Sequence, residues 1–332
     1  MANLTSKCSF WPETPSKCHN ILVLLKVFSS ISLLGCIFII GTICLFKLYK
    51  YFVQRLILFL SISAVIKVIM NLCSVDNEGT SCVVQAFMLQ YFNWAELLWV
   101  CCITANIVLV LNGVQAKNYE LWFHLIVWLV SLAWSVIPFI GSHYGPAGMW
   151  CWIRRDVPAL RFGIWYIPLL LFIVAAVVVY MFICVRTFFS VDVDEGFRYE
   201  EMQGRDILRQ EVKPLFAYPL IYLIFSLPVA IYRIDDAVHP NLPPKYILLV
   251  LSVISTPMLG GLNAIVFSLY GDTLKMLSWN NIKGAFLSLG EGPQVYVRHN
   301  YDVTDYSSDN QALLYHKGDE HITMKYGTKE TA

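Results

Sequence analysis

The chain has 332 residues, of which 57% are hydrophobic and only 14% carry a charge. Soluble domains carry about 25% charged residues, so most of this surface is expected to face lipid rather than water. The formal net charge is +1 and the sequence contains no Lys/Arg block, which excludes a nucleic-acid partner held by a basic field.

Residues 1–20 form a polar segment that contains two prolines. The segment lacks the basic-then-apolar order of a cleavable signal peptide, so we expect the first apolar run to direct membrane insertion. Asn3 begins an N-glycosylation sequon, and this modification is made only on the lumenal or extracellular side of a membrane. Residues 1–20 are therefore predicted to be an extracellular N-terminal segment.

Seven apolar runs follow, each long enough to cross a bilayer as a helix. A hydrocarbon core of about 30 Å requires about twenty helical residues, because unpaired backbone groups are not tolerated in lipid. The runs are residues 21–46, 52–73, 83–111, 121–140, 162–185, 215–234 and 246–270. The sequence thus predicts an all-α fold, a seven-transmembrane helix bundle over residues 21–270.

Lysine and arginine predict the orientation of this bundle, because short loops rich in these residues stay in the cytoplasm. If the N-terminus is outside, the inner loops and the start of the tail carry more Lys and Arg than the outer segments. An extracellular N-terminus and a cytoplasmic C-terminal tail are therefore predicted.

The chain becomes polar after residue 270. Residues 271–289 keep a few spaced apolar side chains, which predicts an amphipathic helix on the inner membrane surface. Residues 290–332 are rich in Ser, Thr, Tyr and Asp and predict a disordered cytoplasmic tail. The tail contains candidate phosphorylation sites and an acidic-dileucine sorting motif: Thr304, Ser307 and Ser308, and Asp309, Leu313 and Leu314.

Several classes of seven-helix protein lack their required residues here. The seventh run contains no lysine that could form a retinal Schiff base. A zinc hydrolase needs several His or carboxylate ligands at one depth, whereas His124 is the one histidine within a span and is expected to be a packed or interfacial residue. We therefore expect no metal, no cofactor and no catalytic residue, and the protein is not predicted to be an enzyme.

Three stretches carry a more specific signal: WCWI at 150–153, RFG at 161–163 and YIP at 166–168. Together with Lys67 in the second span and GGLN at 260–263, they closely resemble the cyclic-AMP-receptor-like G-protein-coupled receptors, the slime-mould cyclic AMP receptors and their animal relatives. The third and seventh spans lack the Asp-Arg-Tyr and Asn-Pro-x-x-Tyr motifs of rhodopsin-like receptors, so that class is excluded.

The resemblance implies a multi-pass receptor of the plasma membrane that binds an extracellular ligand, activates a heterotrimeric G protein and modulates second messengers such as cAMP. The tail motifs suggest arrestin and an endocytic adaptor as further partners. The resemblance also implies a disulfide between Cys82 and Cys151, which would hold the second outer loop over the bundle. In the alternative, these cysteines are two separate thiols.

Candidate ligand-binding residues come from charges within the spans and from the second outer loop, since a charge in lipid usually faces a cavity or a partner. They are Lys67, Glu96, Arg161, Arg233 and Trp152. The three basic residues match basic positions of the resembling family, and around an outer vestibule they would favour a small anionic ligand. In the alternative, three aspartates neutralise the arginines as structural pairs: Asp156, Asp235 and Asp236. Glu96 either pairs with Lys67 or forms a hydrogen bond to a ligand.

Proline and glycine within the last two spans are candidate hinges, which a receptor needs for opening. They are Pro228, Pro257, Gly260 and Gly261. Ordinary helix kinking explains them equally well. An alternative function also stays open, a small transporter or channel-like protein that uses Lys67 and Glu96 as an intramembrane relay.

Overall fold

A computed structural model describes residues 11, 14–73, 79–112, 114, 116–147, 150–184, 213–239, 242–269 and 273–287. Seven helices within these ranges are long and apolar enough to cross a membrane, which confirms the predicted all-α seven-transmembrane architecture. They are α1 (Pro15–Leu45), α2 (Phe52–Leu72), α3 (Thr80–Leu111), α4 (Glu120–Val136), α5 (Pro158–Arg161, Phe162–Tyr166 and Ile167–Cys184 in succession), α6 (Ala217–Val238) and α7 (Tyr246–Leu269).

Some predicted sites lie outside the described residues and stay predictions. They are the glycosylation site Asn3, the phosphorylation sites Thr304, Ser307 and Ser308, and the sorting motif with Asp309, Leu313 and Leu314.

Helix α1 begins at Pro15 rather than at residue 21, so it extends into the segment predicted to precede the bundle. Proline is favourable in a first helical turn, where its missing N–H would have no partner. The added turns are held by tertiary contacts, because Cys18 and Ile21 are buried in one cluster with Tyr232 and Leu249. Packing against α6 and α7 therefore extends the helix beyond its apolar run.

A π-helical turn at Phe162–Tyr166 interrupts α5. Ile167 donates its backbone N–H to the carbonyl of Phe162, five residues earlier, and Pro168 has no N–H to continue the α-helical pattern. The wider turn places Trp165 and Tyr166 in buried positions. Proline thus shapes the helix where α5 meets the second outer loop.

Helix α3 occupies a central place, in contact with α2, α4 and α6, while α1 packs against α2 and α7. The seam between α1 and α7 is tight around Gly260. A methyl group at Gly260 would lie 2.3 Å from Ser32 Oγ and 2.5 Å from Cys36 Sγ. The two helices approach this closely because glycine has no side chain.

The second outer loop forms a short antiparallel hairpin, β1 (Tyr144–Pro146) and β2 (Cys151–Ile153), which we call the lid hairpin. Cys151 is disulfide-bonded to Cys82 in the first turn of α3, with 5.3 Å between their Cα atoms. The predicted disulfide is confirmed. We call this end of the bundle the disulfide face and the other end the opposite face.

At the opposite face, the predicted helix 271–289 is divided into α8 (Thr273–Met276) and α9 (Trp279–Leu287). Its location on the membrane surface stays a prediction. The same face is braced by Arg55 of α2, whose guanidinium donates to both carboxylate oxygens of Glu120 at the start of α4, at 2.5 and 2.6 Å.

Candidate ligand-binding cavity

A cavity of about 110 Å³ lies within the bundle beside the lid hairpin, toward the disulfide face. Every membrane-spanning helix except α4 contributes to its wall, together with the hairpin. The lining residues are Leu25, Lys67, Asn71, Leu89, Asn93, Trp150, Trp152, Trp165, Val229, Arg233, Ser252, Val253 and Thr256. The cavity therefore joins elements that are far apart in the sequence.

Four helices contribute residues spaced one turn apart, which places both members on one helix face. The pairs are Lys67 and Asn71, Leu89 and Asn93, Val229 and Arg233, and Ser252 and Thr256. Most of these side chains are polar although their helices are apolar. A polar face inside an apolar helix has to meet other polar groups or a ligand.

Lys67 lines the cavity and Glu96 lies behind it. The Lys67 ammonium donates to Glu96 Oε2, and the two side chains are only 2% and 4% exposed. The structure thus shows the pairing of Lys67 with Glu96, one of the two interpretations that the sequence left open. The charge of Lys67 is largely met by this carboxylate, and removing either partner would leave a buried charge uncompensated.

Arg233 is the other cation in the cavity wall. Its guanidinium lies 4.9 Å from the ring centre of Trp152 and 4.9 Å from that of Tyr232. It forms no ion pair with a carboxylate among the described residues, and its buried Nε has no hydrogen-bond partner there. Arg233 therefore contributes a positive charge that aromatic faces stabilise only in part.

Arg161 does not line the cavity. It is buried, and its guanidinium donates through Nε and Nη2 to the carbonyl of Ile153 in β2, with a Nε–O distance of 2.9 Å. Its Nη1 lies 3.8 Å from Asp236 Oδ2. The arginine fastens the lid hairpin to α5, and its predicted ligand-binding role stays a prediction.

Trp152 connects these groups. Its indole N–H donates to Gln90 Oε1 of α3 at 2.7 Å, and the guanidiniums of Arg233 and Arg161 lie 4.9 Å and 5.3 Å from its ring centre. The indole forms part of the cavity wall. The lid hairpin thus presents to the cavity an aromatic face with a fixed orientation.

The predicted pairing of arginines with aspartates is found for Arg154 and Arg155 of the loop and, at 3.8 Å, for Arg161. Arg155, two residues after β2, binds Asp236 at 2.5 Å, so the chain that leaves the lid hairpin is tied to the end of α6. Arg154 binds Asp156 on the surface, and this hydrogen bond lowers the pKa of the Asp156 carboxyl below its ordinary value. Asp235 instead binds Lys245 at 2.6 Å. None of these aspartates pairs with Arg233.

Sequence reasoning missed several residues of the wall, namely Asn71, Asn93, Trp150, Trp165, Ser252 and Thr256. A signal was present for the polar ones, since Asn71 lies one turn from Lys67 and Asn93 lies one turn from Glu96. The tryptophans had none, because an aromatic residue in a membrane helix is usually a packing or interface residue.

The candidate hinges lie in continuous helices, Pro228 within α6 and Pro257 within α7. Gly260 and Gly261 face α1, where Gly260 permits close packing. Their role as hinges stays a prediction. Within the described ranges no cluster of His, Cys, Asp and Glu side chains is arranged to hold a metal ion.

A seven-helix membrane bundle with a cavity at one end, partly covered by a disulfide-linked hairpin, is compatible with a receptor. The model of the slime mold cyclic AMP receptor family matches residues 13–287. The chain therefore belongs to this family, a receptor family rather than a family of enzymes, and is a multi-pass protein of the plasma membrane.

Individual relatives agree with this assignment. The chain is 26% identical to cyclic AMP receptor-like protein A of Dictyostelium discoideum over 73% of its own length and 62% of the relative's. It is 27% identical to cyclic AMP receptor 4 of the same organism over 68% and 52% of the two chains. It is 30% identical to G-protein coupled receptor 1 of Arabidopsis thaliana over 42% and 44%. The chain thus spans between about two-fifths and three-fifths of the length of these relatives.

Proposed function

We propose that the protein is a G-protein-coupled receptor that binds a small anionic extracellular ligand in the cavity beside the lid hairpin. Binding activates a heterotrimeric G protein and so modulates second messengers such as cyclic AMP. The observation that carries the proposal is Arg233, a cation in the wall of a receptor-family cavity that has no ion-pair partner among the described residues.

The disulfide supports an extracellular location of the cavity. Disulfides form and persist in oxidising compartments, and the bond between Cys82 and Cys151 lies at the end of the bundle where the cavity is found. The distribution of Lys and Arg supports the same orientation, with the opposite face in the cytoplasm.

The contacts of α6 supply a route from ligand to helix movement. Arg233 and Asp236 lie one turn apart on α6, and both contact the lid hairpin, through Trp152 and Arg155 respectively. An anion that binds Arg233 competes with the aromatic face for the guanidinium. It therefore changes the relative stability of the arrangements of α6, which is what a ligand must do to shift a conformational equilibrium.

The opposite face contains groups that support a second arrangement. Both polar amide atoms of Gln54 and the Oδ1 of Asn106 are buried without a hydrogen-bond partner among the described residues. These residues lie near the ends of α2 and α3 that face the cytoplasm in this orientation. Buried polar atoms without partners cost free energy, so a movement that gives them partners or water is favoured. Opening this end would also break the hydrogen bond from the Tyr180 hydroxyl to the Phe216 carbonyl, which joins α5 to the start of α6.

The test is G-protein dissociation in cells that express the full chain, measured by energy transfer between labelled Gα and Gβγ while small anionic metabolites are applied. Arg233→Gln is expected to lower the potency of an active anion about 10- to 100-fold, because a hydrogen bond to a charged group is worth about 1.5–3 kcal/mol. Arg154→Gln is the matched control, since Arg154 is an exposed loop arginine paired with Asp156. Equal losses in both variants would contradict the proposal.

A transporter would give a different result. Substrate flux or current that depends on Lys67 and Glu96 and survives knockout of the G proteins would replace the receptor proposal with that function. Arrestin and endocytic adaptors are proposed partners of the tail, to be tested by recruitment assays with the tail serines and leucines substituted.

A further inference from the structure

The size of the cavity limits what can bind in it. Its volume is about 110 Å³. A protein cavity of about 150 Å³ holds one benzene molecule, and pockets for drug-sized ligands span about 300–1,000 Å³. A purine nucleotide, with a bicyclic base, a sugar and a phosphate, is several times larger than benzene. At about 110 Å³ the enclosed space is smaller than that benzene site, so it receives the charged group and part of one small ring, and the rest of a ligand lies in the open mouth of the cavity.

The charge of the wall defines the charge of the ligand. Lys67 and Arg233 are the charged residues among those that line the cavity. Glu96 binds Lys67 directly and supplies one compensating negative charge, so the wall carries a net charge of one positive unit. Arg161, Arg155 and Asp236 lie outside the lining, where the two guanidiniums share the carboxylate of Asp236 and Arg161 also donates to the hairpin carbonyl. One negative charge on the ligand balances the site, and a second would have no counter-ion within the cavity.

The shape of the wall favours a flat ligand. Trp150, Trp152 and Trp165 contribute indole surfaces, and Trp152 is fixed by its hydrogen bond to Gln90. Aromatic side chains pack well against other aromatic rings. A guanidinium presents parallel N–H donors that match the two oxygens of a carboxylate. Arg233 beside indole faces therefore suits a carboxylate attached to a planar group.

We infer that the cavity binds a planar monocarboxylate of about the size of benzoate, with its carboxylate on Arg233 and its ring against the indole faces. The inference rests on the proposed function, because it names the chemical class of ligand for the same receptor site.

Thermal unfolding of the purified full chain in lipid nanodiscs tests ligand class directly. Benzoate is the probe, benzamide is its neutral analogue, phthalate adds a second carboxylate, and cyclic AMP is the large anion. Benzoate is expected to raise the midpoint of unfolding in a saturable way, with at least tenfold higher affinity than each of the other three. Equal stabilisation by benzamide, or stronger stabilisation by cyclic AMP, would overturn the inference.

Two variants locate the binding. Arg233→Gln is expected to weaken benzoate binding about 10- to 100-fold, whereas Arg154→Gln leaves it unchanged. Thr256→Leu fills the cavity without removing a charge and is expected to abolish benzoate binding. Unfolding without ligand shows that each variant is folded, so at least one variant remains informative if another is unstable. Unchanged benzoate binding in both cavity variants would show that benzoate binds elsewhere.

A charge variant gives the most specific prediction. Glu96→Gln removes the charge that compensates Lys67 and raises the net charge of the wall to two positive units. The preference between the probes is then expected to move at least tenfold toward phthalate. An unchanged preference would contradict the charge argument. These binding measurements use no G protein, so G-protein dissociation in cells tests the proposed function separately. If the protein activates a G protein but does not bind benzoate, the inferred ligand class is wrong and the proposed function still stands.

Discussion

The tie between the lid hairpin and α6 yields a prediction with a control one residue away. Asp236 binds Arg155, two residues after the hairpin strand β2, at 2.5 Å, with side-chain exposures of 9% and 30%. The neighbouring Asp235 binds Lys245 at 2.6 Å, within the connection from α6 to α7. Replacing either aspartate by asparagine removes the same charge, but only Asp236→Asn releases the hairpin.

The magnitude follows from the burial of the pair. Exposed ion pairs contribute about 0.2–1 kcal/mol and breaking a fully buried one costs about 3–5 kcal/mol, so this partly exposed pair is expected to contribute about 1–3 kcal/mol. Local opening of the hairpin should then become about 5- to 150-fold more frequent. The disulfide at Cys151 stays intact, so the effect is expected at residues 152–155 rather than along the whole loop.

Hydrogen exchange in nanodiscs, followed by mass spectrometry of the hairpin peptides, measures this opening. Asp236→Asn should accelerate exchange within the stated range, and Asp235→Asn should leave it within about twofold of the parent protein. Arg155→Gln should have a smaller effect than Asp236→Asn, because Asp236 also lies 3.8 Å from Arg161 Nη1, and the double variant should add little to Asp236→Asn, which already breaks the pair with Arg155. Equal acceleration by the two aspartate variants, or none by either, would refute the reasoning.

Three further substitutions test the packing of the bundle, each by thermal unfolding in detergent. Gly260→Ala is expected to destabilise the protein by about 1–3 kcal/mol, because the added methyl group would clash with α1. Gly41→Ala is the control and should be neutral, because nothing lies within 4 Å of its added methyl group. Equal effects of the two substitutions would contradict the close packing of α1 against α7. Lys67→Met alone is expected to lower the free energy of unfolding by about 3–5 kcal/mol, because it leaves the Glu96 carboxylate buried without a partner. Lys67→Met combined with Glu96→Leu should cost clearly less, because the double variant leaves no uncompensated charge. Additive costs of the two substitutions would exclude a direct pair. Cys82→Ser is expected to cost about 4 kcal/mol in the loop-entropy model, and the same melting point with and without reductant in the parent protein would argue against that contribution.

The sequence by itself determined the number of helices and their approximate limits, because lipid admits only long apolar segments that satisfy their own backbone hydrogen bonds. The start of α1 at Pro15 was not predictable in the same way. Its polar first turns are stabilised by contacts with α6 and α7, and hydropathy does not record such contacts. The π-helical turn at Phe162–Tyr166 likewise depends on Pro168 within its folded surroundings.

For the candidate site too, the sequence determined one part and the tertiary structure the other. The sequence identified Lys67 and Glu96 as charges within spans, which need a partner, and the family resemblance pointed to Arg161 and Arg233 at the outer ends of two helices. It did not decide which of them are already paired. Only the tertiary structure places Glu96 against Lys67 and the Ile153 carbonyl against Arg161, and leaves Arg233 in the cavity wall without a carboxylate partner among the described residues. The physical reason is that hydropathy depends on composition along the chain, whereas the pairing of charges depends on distances between helices that are distant in sequence.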